Sequence, residues 1–153
     1  EKLRLLCEKA GLTDRTIFTG FVPRSNVLSL MKVADVLVLP SLMEGSPRVL
    51  IEAMLCRLPI VGTDVAGIRD LIEQGRNGLL VNPRNPTALA QAVDSILGDA
   101  DLARKLSEEA YRDASRKFNG QKLVNMNVSL VSRLVRITRG ADVENKCSHS
   151  VLQ

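Results

Sequence analysis

The sequence has one histidine, no tryptophan, one tyrosine, three phenylalanines and three cysteines among 153 residues. His149 alone, in a polar tail, cannot build a His-dependent catalytic triad or a His-ligated metal centre. Cys7, Cys56 and Cys147 are far apart and contain no C-x-x-C pair, so neither a disulfide framework nor a zinc site is expected and the thiols read as reduced and structural. The aromatics (Phe18, Phe21, Tyr111, Phe118) offer little for stacking on bases. No apolar run approaches the roughly 20 residues needed to cross a bilayer, and the opening Glu1-Lys2-Leu3-Arg4 lacks the apolar stretch of a signal peptide. A cytoplasmic protein is expected.

What is present is the composition of a soluble globular domain, 45% hydrophobic and 25% charged. A chain of this length can bury roughly 70% of its unfolded surface without disulfides or a structural metal. The net charge of +4 is unevenly spread, because seven basic residues between Arg112 and Arg139 face a single acid, Asp113. That stretch has no interleaved aromatics and matches no groove-reading motif, so nucleic acid is not an expected partner. Arg133, Arg136 and Arg139 share one helical face and Met126, Leu130, Leu134 and Ile137 another. The plain reading is a solvated face over an apolar stripe; the sharper one is peripheral docking on an anionic membrane, at the inner face, or on another domain.

Along the chain, helix-like and strand-like patterns alternate. Leu3, Leu6, Cys7 and Ala10 predict a helix ended by Gly11, and Thr16-Ile17-Phe18-Thr19 reads as a strand. Ser25 is the expected cap of a helix carrying Val27, Leu28, Met31 and Ala34. Asp35 to Pro40 reads as a strand buried on both faces. A helix over 47–56, a strand over 60–63, a short helix over 68–73, a turn over 75–78 and a strand over 79–81 follow. Helices over 86–98, 100–117 and 121–138 precede a disordered tail over 140–153. The alternation implies βαβ crossovers: an α/β fold with a Rossmann-like parallel sheet, flanking helices and further helices at its C-terminal end.

In such sheets ligands bind beyond the carboxyl ends of the strands. The run Ser41-Leu42-Met43-Glu44-Gly45-Ser46-Pro47 is the most informative one there. Ser46 is the expected N-cap and Pro47 the first helical residue, so the free amides of that turn would favour a phosphate. Gly45 would let the backbone approach a ligand. Glu44 and Glu52, eight residues apart, would lie about 12 Å from each other along a continuous helix. That suits two carboxylates holding different parts of one long molecule, such as a nucleotide sugar. By themselves, glutamates at this spacing are common and any helix start attracts anions.

The segments P-S-L-M-E-G-S-P-R-V-L-I-E-A-M (Pro40–Met54), L-P-I-V-G-T-D-V-A-G-I-R-D-L-I (Leu58–Ile72), G-R-N-G-L-L-V-N-P (Gly75–Pro83) and T-G-F-V-P (Thr19–Pro23) resemble the donor-binding domain of GT-B retaining glycosyltransferases of family 4. The resemblance covers about residues 1–118, with the motifs in family order, and implies half of a GT-B fold. By it, Glu44 is the first glutamate of the E-x7-E motif, near the reacting carbon of the donor sugar, and Glu52 the second, on the ribose hydroxyls. Gly45, Ser46, Arg48 and Val49 would meet the sugar and phosphates, and Val22 the base through its main chain. The implied reaction is retaining transfer from a nucleoside diphosphate sugar to an acceptor hydroxyl on a sugar, lipid or polysaccharide intermediate, with no metal or other cofactor.

Departures accompany the likeness. Pro47 offers no amide; Arg57 stands where the family has a helix-ending glycine; Ala66 and Asp70 replace a more usual Gly and Glu. No segment matches the family's acceptor-binding N-terminal domain or the two strands whose G-R-L and lysine segment grips the diphosphate, with Arg48 and Arg24 the candidate replacements. The expectation is therefore a partial donor domain over 1–139, a piece of a longer protein. The alternatives are a non-catalytic nucleotide-sugar-binding module or inactive fragment, and a two-carboxylate glycoside hydrolase, in which a phosphate-binding helix start would have no purpose.

Overall fold

A computed structural model of the chain describes residues 2–118. The expected helix over 121–138 and the tail over 140–153 lie outside the described residues. Six α-helices, α1 (Lys2–Lys9), α2 (Arg24–Val33), α3 (Arg48–Leu55), α4 (Ala66–Arg69), α5 (Pro86–Gly98) and α6 (Ala100–Lys117), flank three strands, β1 (Leu37–Leu39), β2 (Ile60–Thr63) and β3 (Leu79–Val81). The strands form one parallel sheet in the order β1-β2-β3, with Val38 opposite Val61 and Gly62 opposite Leu80. None of the described helices is long and apolar enough to cross a membrane.

Every residue of β2 is buried, and its side chains alternate between the two faces of the sheet. Ile60 packs with Leu50, Ala53, Met54, Ile68 and Ile72 on one face, and Val61 packs with Ile96 and Leu106 on the other. Both faces are therefore covered, as parallel strands joined by helical crossovers require. Each fully buried Leu, Ile or Met contributes about 1.5–3 kcal/mol. α6 supplies both clusters, with Leu106 in one and Ala110 and Ala114 in the other.

Four local expectations are corrected. The short helix expected over 68–73 runs instead over Ala66–Arg69, opening after the extended Val65. Residues 16–19 form no strand, and Ile17 is 89% exposed: the residue types favour extended backbone, but among the described residues no neighbouring strand satisfies their amides. β1 is only half-buried, not enclosed on both faces, because among the described residues it pairs with β2 alone and forms the edge. α2 opens at Arg24 with Pro23 at the capping position, so Ser25 lies inside the first turn; the fixed φ of Pro23, −55°, suits the entry.

Arg57 has φ of +54°, the left-handed conformation a glycine adopts more cheaply. It closes α3 in a Schellman turn, with Leu58 N–H bonded to Ala53 O at 3.0 Å and Arg57 N–H to Met54 O at 3.1 Å. Its guanidinium lies 3.7 Å from the centre of the Tyr111 ring and 3.1 Å from Glu108, both on α6. The side chain thus offsets the backbone cost by joining α3 to α6.

The turn before β3 is joined to α6 by a polar network. Asn77, 2% exposed, accepts from Glu73 N–H at 2.7 Å and donates to Leu71 O at 3.2 Å and Asp113 Oδ2 at 2.9 Å. Arg76 and Arg116 donate to the same carboxylate at 2.5 and 2.7 Å. Burial pushes the Asp113 carboxyl up, but the hydrogen bonds from Arg76, Asn77 and Arg116 outweigh it and hold the group below its ordinary 3.8.

A carboxylate lowered on folding contributes stability above its unfolded pKa and loses it as pH falls through the folded value. Asp113→Ala should therefore cost about 1–3 kcal/mol at pH 7. In urea titrations the gap between wild type and variant should narrow below about pH 4. A gap constant with pH would show that the charge of Asp113 is not the source. For Arg57, the alanine variant should lose about 1 kcal/mol, whereas glycine, which relieves the backbone, should lie within about 0.5 kcal/mol of wild type.

Candidate functional site

The carboxyl ends of the three parallel strands lie along one edge, so the segments after them, 40–47, 64–65 and 82–85, converge there. The first is held from below. Thr63, the last residue of β2 and 3% exposed, donates its hydroxyl to Ser41 O at 2.5 Å. Ser41 in turn donates to Glu44 Oε1 at 2.7 Å, fixing a half-buried carboxylate. From the side comes α4: a Cβ on Gly67 would fall 2.6 Å from Gly45 O and closer still to Glu44 O. Only glycine allows that approach, and it pins the loop carrying Glu44 between β2 and α4. A cleft of about 180 Å³, lined by Pro40, Leu42, Thr63 and Val81, opens beside it.

The expected cap of α3 is shifted by one residue. Pro47, not Ser46, is the capping residue, with φ −73° and ψ 96°, and the helix begins at Arg48. Pro47 is buried and accepts Leu50 N–H at 3.0 Å, whereas Ser46 is exposed. Because Pro47 lies outside the helix, its missing amide removes nothing from the first turn. Among the described residues, the first-turn donors left without a partner are Arg48 N–H and Val49 N–H.

Glu52 is in the second turn of α3 and 18% exposed, with Oε1 2.8 Å from Nη2 of Arg24, which is 76% exposed and starts α2. The 12 Å spacing of a continuous helix does not apply, since Glu44 lies in the loop four residues before α3. Gly45, Ser46, Arg48 and Val49 run without a break from that loop into the first turn. Gly45 and Arg48 are exposed, while the Val49 side chain packs on the core beneath its amide. Around Gly45 no atom would touch an added Cβ within 4 Å, so the space over the loop is open. Val22 is half-buried and stands two residues before Arg24, the partner of Glu52.

Residues 1–113 match the family of glycosyl transferases group 1. The chain belongs to the group 1 glycosyltransferases. It is 40% identical over 118 residues to 2-deoxystreptamine N-acetyl-D-glucosaminyltransferase of Streptomyces fradiae, a match covering 77% of this chain and 28% of that enzyme. Its fold is similar to that of sucrose-phosphate synthase from Thermosynechococcus elongatus, with TM-score 0.81 and 29% identity over 89% of this chain and 34% of that one. The Anabaena protein HepE, solved with UDP-glucose, superposes with TM-score 0.78 and 29% identity over 88% of this chain and 36% of its own. The chain spans about a third of the length of the curated relatives it matches, 32%, 28% and 30% for three of them. This group 1 glycosyltransferase chain has the α/β architecture expected of half a GT-B fold, a parallel sheet with flanking helices that matches about a third of each of those neighbours.

Two residues that hold the site drew no notice as sequence, Thr63 and Gly67. Thr63 is a lone hydroxyl at a strand end, which signals nothing until Ser41 O is found above it. Gly67 sits inside a quoted motif, but its role needs the neighbouring loop. Gly67→Ala should displace segment 44–45 and cost about 1–3 kcal/mol in denaturant unfolding, as overpacking does. An unchanged midpoint would mean that the loop yields freely.

Proposed function

We propose that this chain supplies the donor-binding half of a retaining hexosyltransferase, acting on a nucleoside diphosphate sugar. The observation that carries the reading is the pair of free amides at the start of α3, at the carboxyl edge of the sheet, with Glu44 on the preceding loop and Glu52 a turn further along. Dipole and amides favour the diphosphate. The leaving diphosphate gains charge as the bond to the anomeric carbon breaks, and donors already in position stabilise that charge without reorganising. Arg48, exposed on the first turn, adds a cation.

In this reading Glu44, held by Ser41, lies beside the sugar and steadies positive charge developing at the anomeric carbon, while the acceptor hydroxyl forms the new bond on the face the diphosphate leaves and its proton passes to the departing diphosphate. Glu52 accepts from the ribose diol, Gly45, Ser46 and Val49 contact the sugar and phosphates through the main chain, and Val22 contacts the base. The acceptor is a hydroxyl of a sugar, lipid or polysaccharide intermediate. In this reading no metal takes part. The UDP-glucose bound to the HepE neighbour supports a nucleotide-sugar donor.

At 1 mM ligand and a Kd of about 0.1 mM, the matching member of a panel of UDP-, ADP- and GDP-sugars should stabilise the chain by about 1.4 kcal/mol and raise Tm by about 3–6 °C. Glu52→Ala should remove the shift. Glu44→Ala should leave binding of the free nucleoside diphosphate within twofold while abolishing the extra affinity of the sugar-bearing form. No shift with any member of the panel would refute the proposal.

A further inference from the structure

Two arginines stand near Glu52, and only one of them holds it. Arg48 is four residues earlier on α3, adjacent to Glu52 on the same helical face, where an ion pair is geometrically ordinary. Glu52 instead pairs with Arg24, which comes from α2 and lies 28 residues away in sequence. Among the described residues Arg48 has no carboxylate partner and stays exposed beside the free amides.

The two partners of the pair differ in setting. Glu52 is largely covered, while Arg24 keeps most of its contact with water. Arg24 therefore reaches Glu52 without giving up its hydration, with Nη2 2.8 Å from Oε1. A carboxylate has two oxygens and about four lone-pair sites, so one guanidinium contact leaves capacity for hydroxyl donors. A glutamate must freeze three side-chain torsions to accept from a diol, and one already held by a guanidinium loses less on binding. Arg24 also sits on the residue that opens α2, which packs on α3, so the direction from which it pulls is set by the helix pair.

From this geometry we infer that Arg24 is a positioning residue for ribose recognition: it orients Glu52 toward the 2′- and 3′-hydroxyls of the nucleotide without contacting the sugar phosphates itself. The inference rests on the assignment of Glu52 to the ribose and adds a residue through which that contact is tuned. It separates the two arginines by role, Arg24 acting on the ribose through Glu52 and Arg48 acting on the diphosphate.

The test measures binding of the preferred nucleoside diphosphate (from UDP, ADP and GDP) and of its 2′,3′-dideoxy counterpart to the full chain by titration calorimetry. The wild type should prefer the ribose form by about tenfold, the order expected of hydrogen bonds to a charged group. Arg24→Gln should reduce that preference to about threefold or less while leaving the dideoxy affinity within twofold. Arg24→Lys, which restores a single charged donor, should recover most of the preference and serves as the reading should the glutamine variant fail to fold. Arg48→Gln should weaken both ligands alike. If Arg24→Gln weakens both forms equally, changes neither, or is not rescued by lysine, the positioning role is overturned while the nucleotide site stands. If the wild type binds none of the three nucleotides, both this inference and the donor-site reading fall.

Discussion

The strand Ile60–Thr63 is paired on both edges and covered on both faces, and the remaining described elements are arranged by that burial. Parallel neighbours demand crossovers, so α3 and α4 pack back on the sheet and all three carboxyl ends emerge together. At the last position of the strand the interior meets the site. Thr63 is too buried to satisfy its hydroxyl with bulk water, so it bonds to the Ser41 carbonyl and draws the following loop onto the end of the sheet. The core and the placement of Glu44 are in this sense one structure.

Above that edge the polar groups are held by partners from separate parts of the chain. Glu44 is oriented by Ser41 within its own loop and by the approach of Gly67, whereas Glu52 is oriented by Arg24 from α2. Between them lies a helix start whose amides carry partial positive charge. Among the described residues, no atom lies within 4 Å of where a Cβ on Gly45 would stand, so the loop between these two glutamates has open space beside it. On the far side, Asp113, Arg76 and Asn77 join the turn before β3 to α6 and leave no buried side-chain polar atom unpaired among the described residues.

Elements whose signals are local were legible. Strands 60–63 and 79–81 and helices 86–98 and 100–117 have the bounds that periodicity predicts. The last two are capped by the side chains of Asn85 and Asp99, which bond to amides two or three residues on. Elements that depend on a partner were not. Thr16-Ile17-Phe18-Thr19 has strand-forming residues but no neighbouring strand among those described, and β1 reads as enclosed although it forms an edge. The start of α3 was displaced by one residue because burial of Pro47 outweighs the local capping preference of Ser46. Arg57 occupies a glycine conformation because Tyr111 and Glu108, more than fifty residues away, receive its side chain.

The sequence by itself determined the fold class and the order of the candidate site along the chain, because these depend on hydrophobic period, helix boundaries and the spacing of Glu44 and Glu52, all carried by near neighbours; the family showed in the likeness of whole motif segments. Only the tertiary structure decided which groups hold those glutamates. The hydroxyl of Thr63, the missing side chain of Gly67 and the guanidinium of Arg24 act across 22 to 28 residues. A hydrogen bond or a close backbone approach is satisfied by whatever the packed chain brings within about 3 Å, and one-dimensional spacing holds no record of that distance.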